Sequence, residues 1–450
     1  MTGSRHRPSV TIRTDRPAVL GTWRRVMMAR DREQEYRSST PLELFYDLCF
    51  VVAVAQAGSQ LHHGLGAGPH GGNAWLDVLR YAMLFFAIWW AWINFTWFAS
   101  AYDTDDVFYR LLTLLQMAGV LVIAAGMPAA FESFNFTIMT FGYVIMRVAM
   151  IAQWIRVWFE YPPGRPAALR YAVGIGLCQA GWVIRLFLPH PWDLIFFGVF
   201  ALCEMLVPVW AETRGRETSW HPDHISDRYS CFTLIVLGEC VSALTIAVQG
   251  VVSSNDKGGV PVSLIVLAVA ALLLVFGLWW AYFKTDAAAE ILRTSLRTTM
   301  VWAYTHFFIF ASVAALGATL SVAAETAADL ARHPGEATLV SPDSAALMVA
   351  LPVAVFLLTG NVLHSPASRI YHIRGRYVIV IAAVIIGLSW TADAVGLAAT
   401  VGMMAIMVAA LLVAYVIGQH RAAVRMSREH GDQGDAADPE DAGQATAATG

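Results

Sequence analysis

From Tyr377 to Gly418 the chain carries a single charged side chain, Asp393. Comparable runs recur at 111–131, 171–188, 260–283, 299–324 and 344–363, each nearly free of charge. An apolar run of about 18–25 residues crosses a bilayer as a helix, because a rise of about 1.5 Å per residue must cover about 30 Å of hydrocarbon. Barrel strands would alternate polar and apolar residues, and these runs do not. Only 14% of the 450 residues are charged, against about 25% in soluble domains, so too little polar surface exists to wet a globule of this size. The pattern predicts an all-α polytopic membrane protein of about twelve transmembrane helices.

The spans are expected near 42–61, 76–99, 108–128, 134–158, 168–188, 192–211, 229–250, 260–283, 298–323, 345–364, 377–392 and 396–418. The last two are separated only around Asp393, and a single broken helix there would make the count eleven. Basic residues decide orientation, because Lys and Arg are retained on the cytoplasmic side. Nine arginines lie between Arg5 and Arg37. Loops on the same side carry Arg110, Arg165, Arg170, Arg214, Arg216, Lys284, Arg293, Arg369, Arg374 and Arg376, and the tail adds Arg421, Arg425 and Arg428. The opposite loops carry Lys257 and Arg332. This asymmetry favours twelve spans with both termini cytoplasmic, as in an inner membrane. No secretory signal peptide is expected, since no apolar run precedes residue 41.

Three regions follow: a cytoplasmic Arg-rich segment at 1–38, a transmembrane domain at 39–420 and a disordered cytoplasmic tail at 421–450. The stretch from Leu44 to Val54 resembles that from Arg228 to Gly238, behind Glu43 and Asp227 respectively. Each is followed by a helix with a double tryptophan, Trp89-Trp90 and Trp279-Trp280. A true duplication would give parallel six-helix halves, 39–212 and 222–420, a common transporter plan.

An ionisable side chain at membrane depth costs at least about 2.5–3.5 kcal/mol on insertion scales, so it normally meets a partner or water. Glu43 and Asp47 are spaced to share one helix face. They form either an interfacial capping pair or a cation or proton uptake site. Glu239 lies too deep to be a cap. It is expected to pair with Arg147, or else to shuttle protons from an unpaired carboxyl. Glu204 has Arg185 as a more distant option. Asp103, Asp105 and Asp106 form an acidic cluster beside Arg110, which reads as a solvated turn or a weak hard-cation site. Asp227 and Arg228 are expected to pair locally, with His224 at the surface. His306 is expected to hydrogen-bond a neighbouring helix, or to relay protons with Glu239. The five cysteines form no CxxC pair, and no zinc, phosphate-loop, nucleophile-elbow or dinucleotide motif is present. No metal, cofactor or catalytic residue is therefore expected, and the net charge of −3 gives no reason to expect nucleic acid. The expected partners are the lipid bilayer and an unknown small molecule or ion.

Four blocks carry a family resemblance: Leu42-Glu43-Leu44-Phe45-Tyr46-Asp47 with Tyr102-Asp103-Thr104-Asp105-Asp106; His224 through Asp227-Arg228 to Leu237-Gly238-Glu239; Leu278-Trp279-Trp280-Ala281-Tyr282-Phe283; and Tyr304-Thr305-His306. Together they resemble the bacterial low temperature requirement A proteins over about residues 40–420. Asp227 stands where that family usually has Glu, and Lys284 where an acid is common. The resemblance implies an integral membrane protein and marks Glu43, Asp47, Asp103, Asp106, Asp227, Arg228, Glu239 and His306 as positions to test. The span plan and buried carboxylates point to a secondary transporter or ion-coupled permease. The alternatives are a membrane-embedded enzyme acting on a lipid or lipid-linked substrate, or a membrane sensor or scaffold.

Overall fold

The computed structural model describes residues 23–31, 38–67, 73–213, 218–253, 260–284, 292, 294–364 and 375–435, the side chains of 364, 422, 423 and 425–435 excepted. Twelve long helices account for the spans: α1 (Pro41–Gly66), α2 (Ala74–Tyr102), α3 (Val107–Ser133), α4 (Thr137–Glu160), α5 (Arg165–Arg185), α6 (Trp192–Thr213), α7 (Pro222–Ser253), α8 (Val262–Phe283), α9 (Leu296–Arg332), α10 (Pro342–His364), α11 (Gly375–Leu388) and α12 (Leu397–Asp435). Each, with the short turns that extend α5 and α11, is long and apolar enough to cross a membrane. Large apolar side chains such as Phe141, Leu177 and Phe276 point outward, as a lipid-facing surface requires.

Local chemistry sets the boundaries. Thr40 caps α1 in a capping box with Glu43, and Pro41 occupies its first position. Asn73, Asp106 and Ser295 cap α2, α3 and α9 through their side chains. The choice between eleven and twelve spans is settled at Gly396. A 3-10 turn at Ser389–Thr391 and one helical turn at Ala392–Val395 end the eleventh span. Gly396 then takes φ +92°, a left-handed conformation that breaks the helix before α12 starts at Leu397. An even number of consecutive crossings returns the chain to its starting face, termed the N-terminal face here. Arg110, Arg165, Arg170, Lys284 and Arg376 stand near helix ends on that face, Arg421 closes the apolar part of α12 there, and Arg332 stands at the other face. Arg214, Arg216, Lys257, Arg293, Arg369 and Arg374 lie outside the described residues.

Two expectations about the termini change. α12 continues past Arg421 to Asp435 instead of ending at the membrane, and 436–450 lie outside the described residues. At the other end, residues 23–31 form a strap bound to the end of α2, the acidic turn that caps α3, and the end of α4. Met27 is fully buried. The Arg30 backbone N–H donates to Ala101 O at 3.0 Å, and the Met27 N–H to Glu160 at 2.7 Å.

α9 is the most enclosed span and packs on α1, α7, α8 and α10. The order of packed neighbours recurs along the chain. The first six helices pair as α1–α2, α1–α3, α2–α3, α3–α4, α4–α5 and α5–α6. The last six pair as α7–α8, α7–α9, α8–α9, α9–α10, α10–α11 and α11–α12, and α8 also packs closely on α12, which α2 and α6 do not repeat to that extent. The tightest seam joins α3 to α4. A Cβ on Gly119 would lie 2.8 Å from the Gly142 carbonyl oxygen, and one on Gly142 2.7 Å from that of Gly119, the small-residue contact that lets membrane helices approach. A Cβ on Gly238 would meet nothing within 4 Å, whereas Gly317 on α9 makes a close approach to Cys240 of α7.

Candidate functional site

α1 and α7 enter side by side from the N-terminal face, and both have polar residues on the faces that meet. Asp47 and Arg228 are fully buried and form an ion pair at 2.6 Å. The same carboxylate oxygen accepts from Trp92 Nε1 at 2.7 Å. Arg228 therefore pairs across the helix interface and not with Asp227. Asp227 accepts from the Ser39 N–H and hydroxyl at 2.9 and 2.7 Å. Glu43 completes the cap of α1 and also lies 3.2 Å from His224 Nε2. His224 is buried, not superficial, because α7 begins at Pro222, several residues before its apolar run. Arg228 Nε and Nη1 and Asp47 Oδ2 are buried without a hydrogen-bond partner among the described residues.

A second ion pair joins the middles of α4 and α6. Arg147 Nη2 lies 2.9 Å from Glu204, and Tyr143 Oη is 2.6 Å from the same guanidinium nitrogen. Trp90 Nε1 donates to the same carboxylate, as does Trp182 Nε1 at 3.3 Å. The expected Arg147–Glu239 pair does not form. Arg147 and Glu239 both sit at mid-depth, but α4 packs beside α5, not against α7. Arg185 does not reach Glu204 either. It donates to Asp193 O at 2.7 Å and lies against the rings of Phe136 and Phe197.

Glu239 is left without a hydrogen bond or ion pair among the described residues. It faces a cavity of about 560 Å³ between α1, α7 and α9, lined also by Gln56, Ser59, Ser321 and His62. Glu325 and Arg332 also line it, at the ends of α9 and α1 away from the N-terminal face. His62 Nε2 lies 3.1 Å from Glu325 Oε1, joining α1 to α9. His306 takes no part. Its Nδ1 is 2.8 Å from Trp302 O and its Nε2 3.1 Å from the Tyr282 hydroxyl. A carbonyl can only accept, so the neutral ring keeps its proton on Nδ1 and accepts from Tyr282. The histidine thus bonds α9 to α8 and does not relay to Glu239.

The acidic turn after α2 is divided. Asp105 is exposed and paired with Arg110 at 2.8 Å, as a solvated turn would be. Asp103 and Asp106 are buried. Asp103 pairs with Arg30 at 3.0 Å, and Asp106 accepts from Arg156 at 2.9 Å and from the N–H of Arg25 at 2.9 Å. Burial alone would raise the Asp106 carboxyl. The Arg156 guanidinium and the amides of Arg25 and Tyr109 overcome it and hold that carboxyl below the usual range. Lys284, just beyond α8, is held below the usual lysine range by burial, over the Tyr415 ring at 4.5 Å.

The sequence profile of the bacterial low temperature requirement A proteins (LtrA) matches residues 38–415. The chain belongs to that family. It is also 26% identical over 317 residues to an uncharacterized protein of Rhizobium meliloti (strain 1021), covering 66% of this chain and 72% of that one. No solved structure matches.

Within this LtrA-family chain, sequence reasoning missed Arg156, Glu160, Glu212 and the strap. Arg156 and Glu160 had a signal: spaced i, i+4 at the end of a span, they form an ion pair at 3.1 Å. The strap had none, because backbone amides and arginines, not an apolar repeat, hold most of it.

Proposed function

We propose that this protein is a secondary transporter or ion-coupled permease of the bacterial inner membrane, with both termini in the cytoplasm. Glu239 is the carboxylate that takes up the moving cation or proton. One observation carries the reading: among the carboxylates at membrane depth, Glu43, Asp47 and Glu204 are each met by a basic side chain, whereas Glu239 faces an open cavity unpaired. A carboxylate in that position is costly unless something binds it. Gln56, Ser59 and Ser321 add neutral oxygens to the same walls.

The recurring order of helix pairs supports two parallel halves, 39–212 and 222–420. The cavity at their interface, between α1 of one half and α7 and α9 of the other, fits the plan of repeat-built carriers. The arginine asymmetry supports the cytoplasmic assignment of the N-terminal face. A lipid-processing enzyme would need the acidic turn for a cation, but Asp103, Asp105 and Asp106 all have arginine partners.

Proton and alkali-cation flux into proteoliposomes tests the proposal, with wild type compared against Glu239→Gln. Flux in the wild type and its loss in a variant of unchanged folding support it. Absence of flux from folded wild type under every imposed gradient would sink it.

A further inference from the structure

A second cavity lies on the other side of the buried ion pairs. It has a volume of about 40 Å³ and touches α2, α4, α5 and α6, the segment 218–220 and the start of α9, so both halves build it. Half of its lining residues are aromatic, among them Trp90, Trp97, Trp154, Tyr171, Trp220 and Tyr304. The one ionisable carboxyl among its lining residues is Glu212. Because Trp97, Glu212 and Tyr304 lie toward the N-terminal-face ends of their helices, the cavity belongs to that face. The Glu239 cavity belongs to the other.

The rings are held before anything binds. Trp154 and Tyr171 are stacked at 4.2 Å and 7°. Trp97 and Trp220 meet edge to face at 5.0 Å. Tyr304 Oη donates to Met205 O at 2.8 Å. Glu212 is fixed by Tyr171 Oη, Thr218 N and Thr218 Oγ1, each at 2.8 Å. Trp220 is 5% exposed and forms a wall.

We infer that this aromatic cavity is a binding site for a compact quaternary ammonium ion such as choline. A hard metal cation requires several oxygens, and the site has few. A quaternary ammonium has no N–H to satisfy and spreads its charge over methyl surface, which ring faces attract. Glu212 supplies the opposite charge from one side. The volume suits a small head group or a few waters, not an extended chain. This binding does not depend on the transport reading, and transport could fail while binding holds.

The test is calorimetric titration of the purified full chain, in a maltoside detergent free of choline, with choline chloride. Dimethylbutanol, the uncharged isostere in which carbon replaces nitrogen, is titrated in parallel. Saturable choline binding is expected, with the isostere at least about tenfold weaker because only the cation gains from the rings. Glu212→Gln keeps an acceptor oxygen for the Tyr171 and Thr218 hydroxyls and loses the one for the Thr218 N–H, and it should weaken choline about tenfold. Trp154→Leu should weaken it similarly, and Trp279→Leu on the outward face should leave it unchanged. Equal affinity for choline and its isostere would reduce the site to an apolar hole and overturn the inference. So would the absence of saturable binding to wild type, or choline binding that survives both cavity variants.

Discussion

Removing either partner of the Asp47–Arg228 pair should destabilise the bundle far more than removing both. Each side chain is fully buried, so a single change strands a charge with no water to receive it. That loss is worth about 3–5 kcal/mol. Asp47→Asn is the cleaner acidic change, since the amide oxygen still accepts from Trp92 Nε1 and isolates the loss of charge. Arg228→Met fills similar volume without charge. In the double variant no charge is stranded, and the residual cost is one poorly satisfied amide, about 1–3 kcal/mol. The two single costs would sum to about 6–10 kcal/mol, so the cycle should show at least about 3 kcal/mol of coupling. Detergent-denaturant unfolding of the four proteins, followed by helical circular dichroism, measures it. If the double variant loses as much as the two singles together, the charges act independently, and the assignment of this pair as a buried structural ion pair is wrong.

Four further outcomes follow. Glu239→Gln should leave stability within about 0.5 kcal/mol of wild type, because no partner is lost, even where it abolishes flux; the same unfolding assay checks this. Gly119→Ala should cost about 1–3 kcal/mol by overpacking, since its Cβ would lie 2.8 Å from the Gly142 carbonyl, whereas Gly238→Ala, with nothing within 4 Å, should be silent. The depressed Asp106 carboxyl contributes stability that is present above its unfolded value of about 3.9 and is lost as pH falls through its lower folded value. Protease access to residues 23–31 should therefore stay flat from neutral pH to about 4 and rise below it, and Asp106→Asn should open the strap at neutral pH. His306→Phe should cost about 0.5–1.5 kcal/mol by removing one partner of the Tyr282 hydroxyl, which keeps Thr233, without shifting the pH profile of any flux.

The spans were legible because membrane thickness imposes length and apolarity on each one separately. The pairing of their polar residues was not, because pairing depends on which helices are neighbours. Arg147, Glu204 and Glu239 all lie at suitable depths, and nothing in one sequence says that α4 stands near α6 and away from α7. His224 was misplaced for a related reason: hydropathy locates where a helix becomes apolar, not where it begins. Glu43 was legible as a cap because Thr40, Pro41 and Glu43 carry a purely local pattern.

The strap also orders events in time. Met27 is made well before its partner Glu160, which lies 133 residues further along the chain. At about 5–20 residues per second, Met27 waits roughly 7–27 seconds for the end of α4 to be synthesised. The acidic turn is made earlier and can receive Arg25 and Arg30 first, but Arg24 and Met27 have no Glu160 to meet until then. Closure of the strap is therefore complete only once the first four helices are present together.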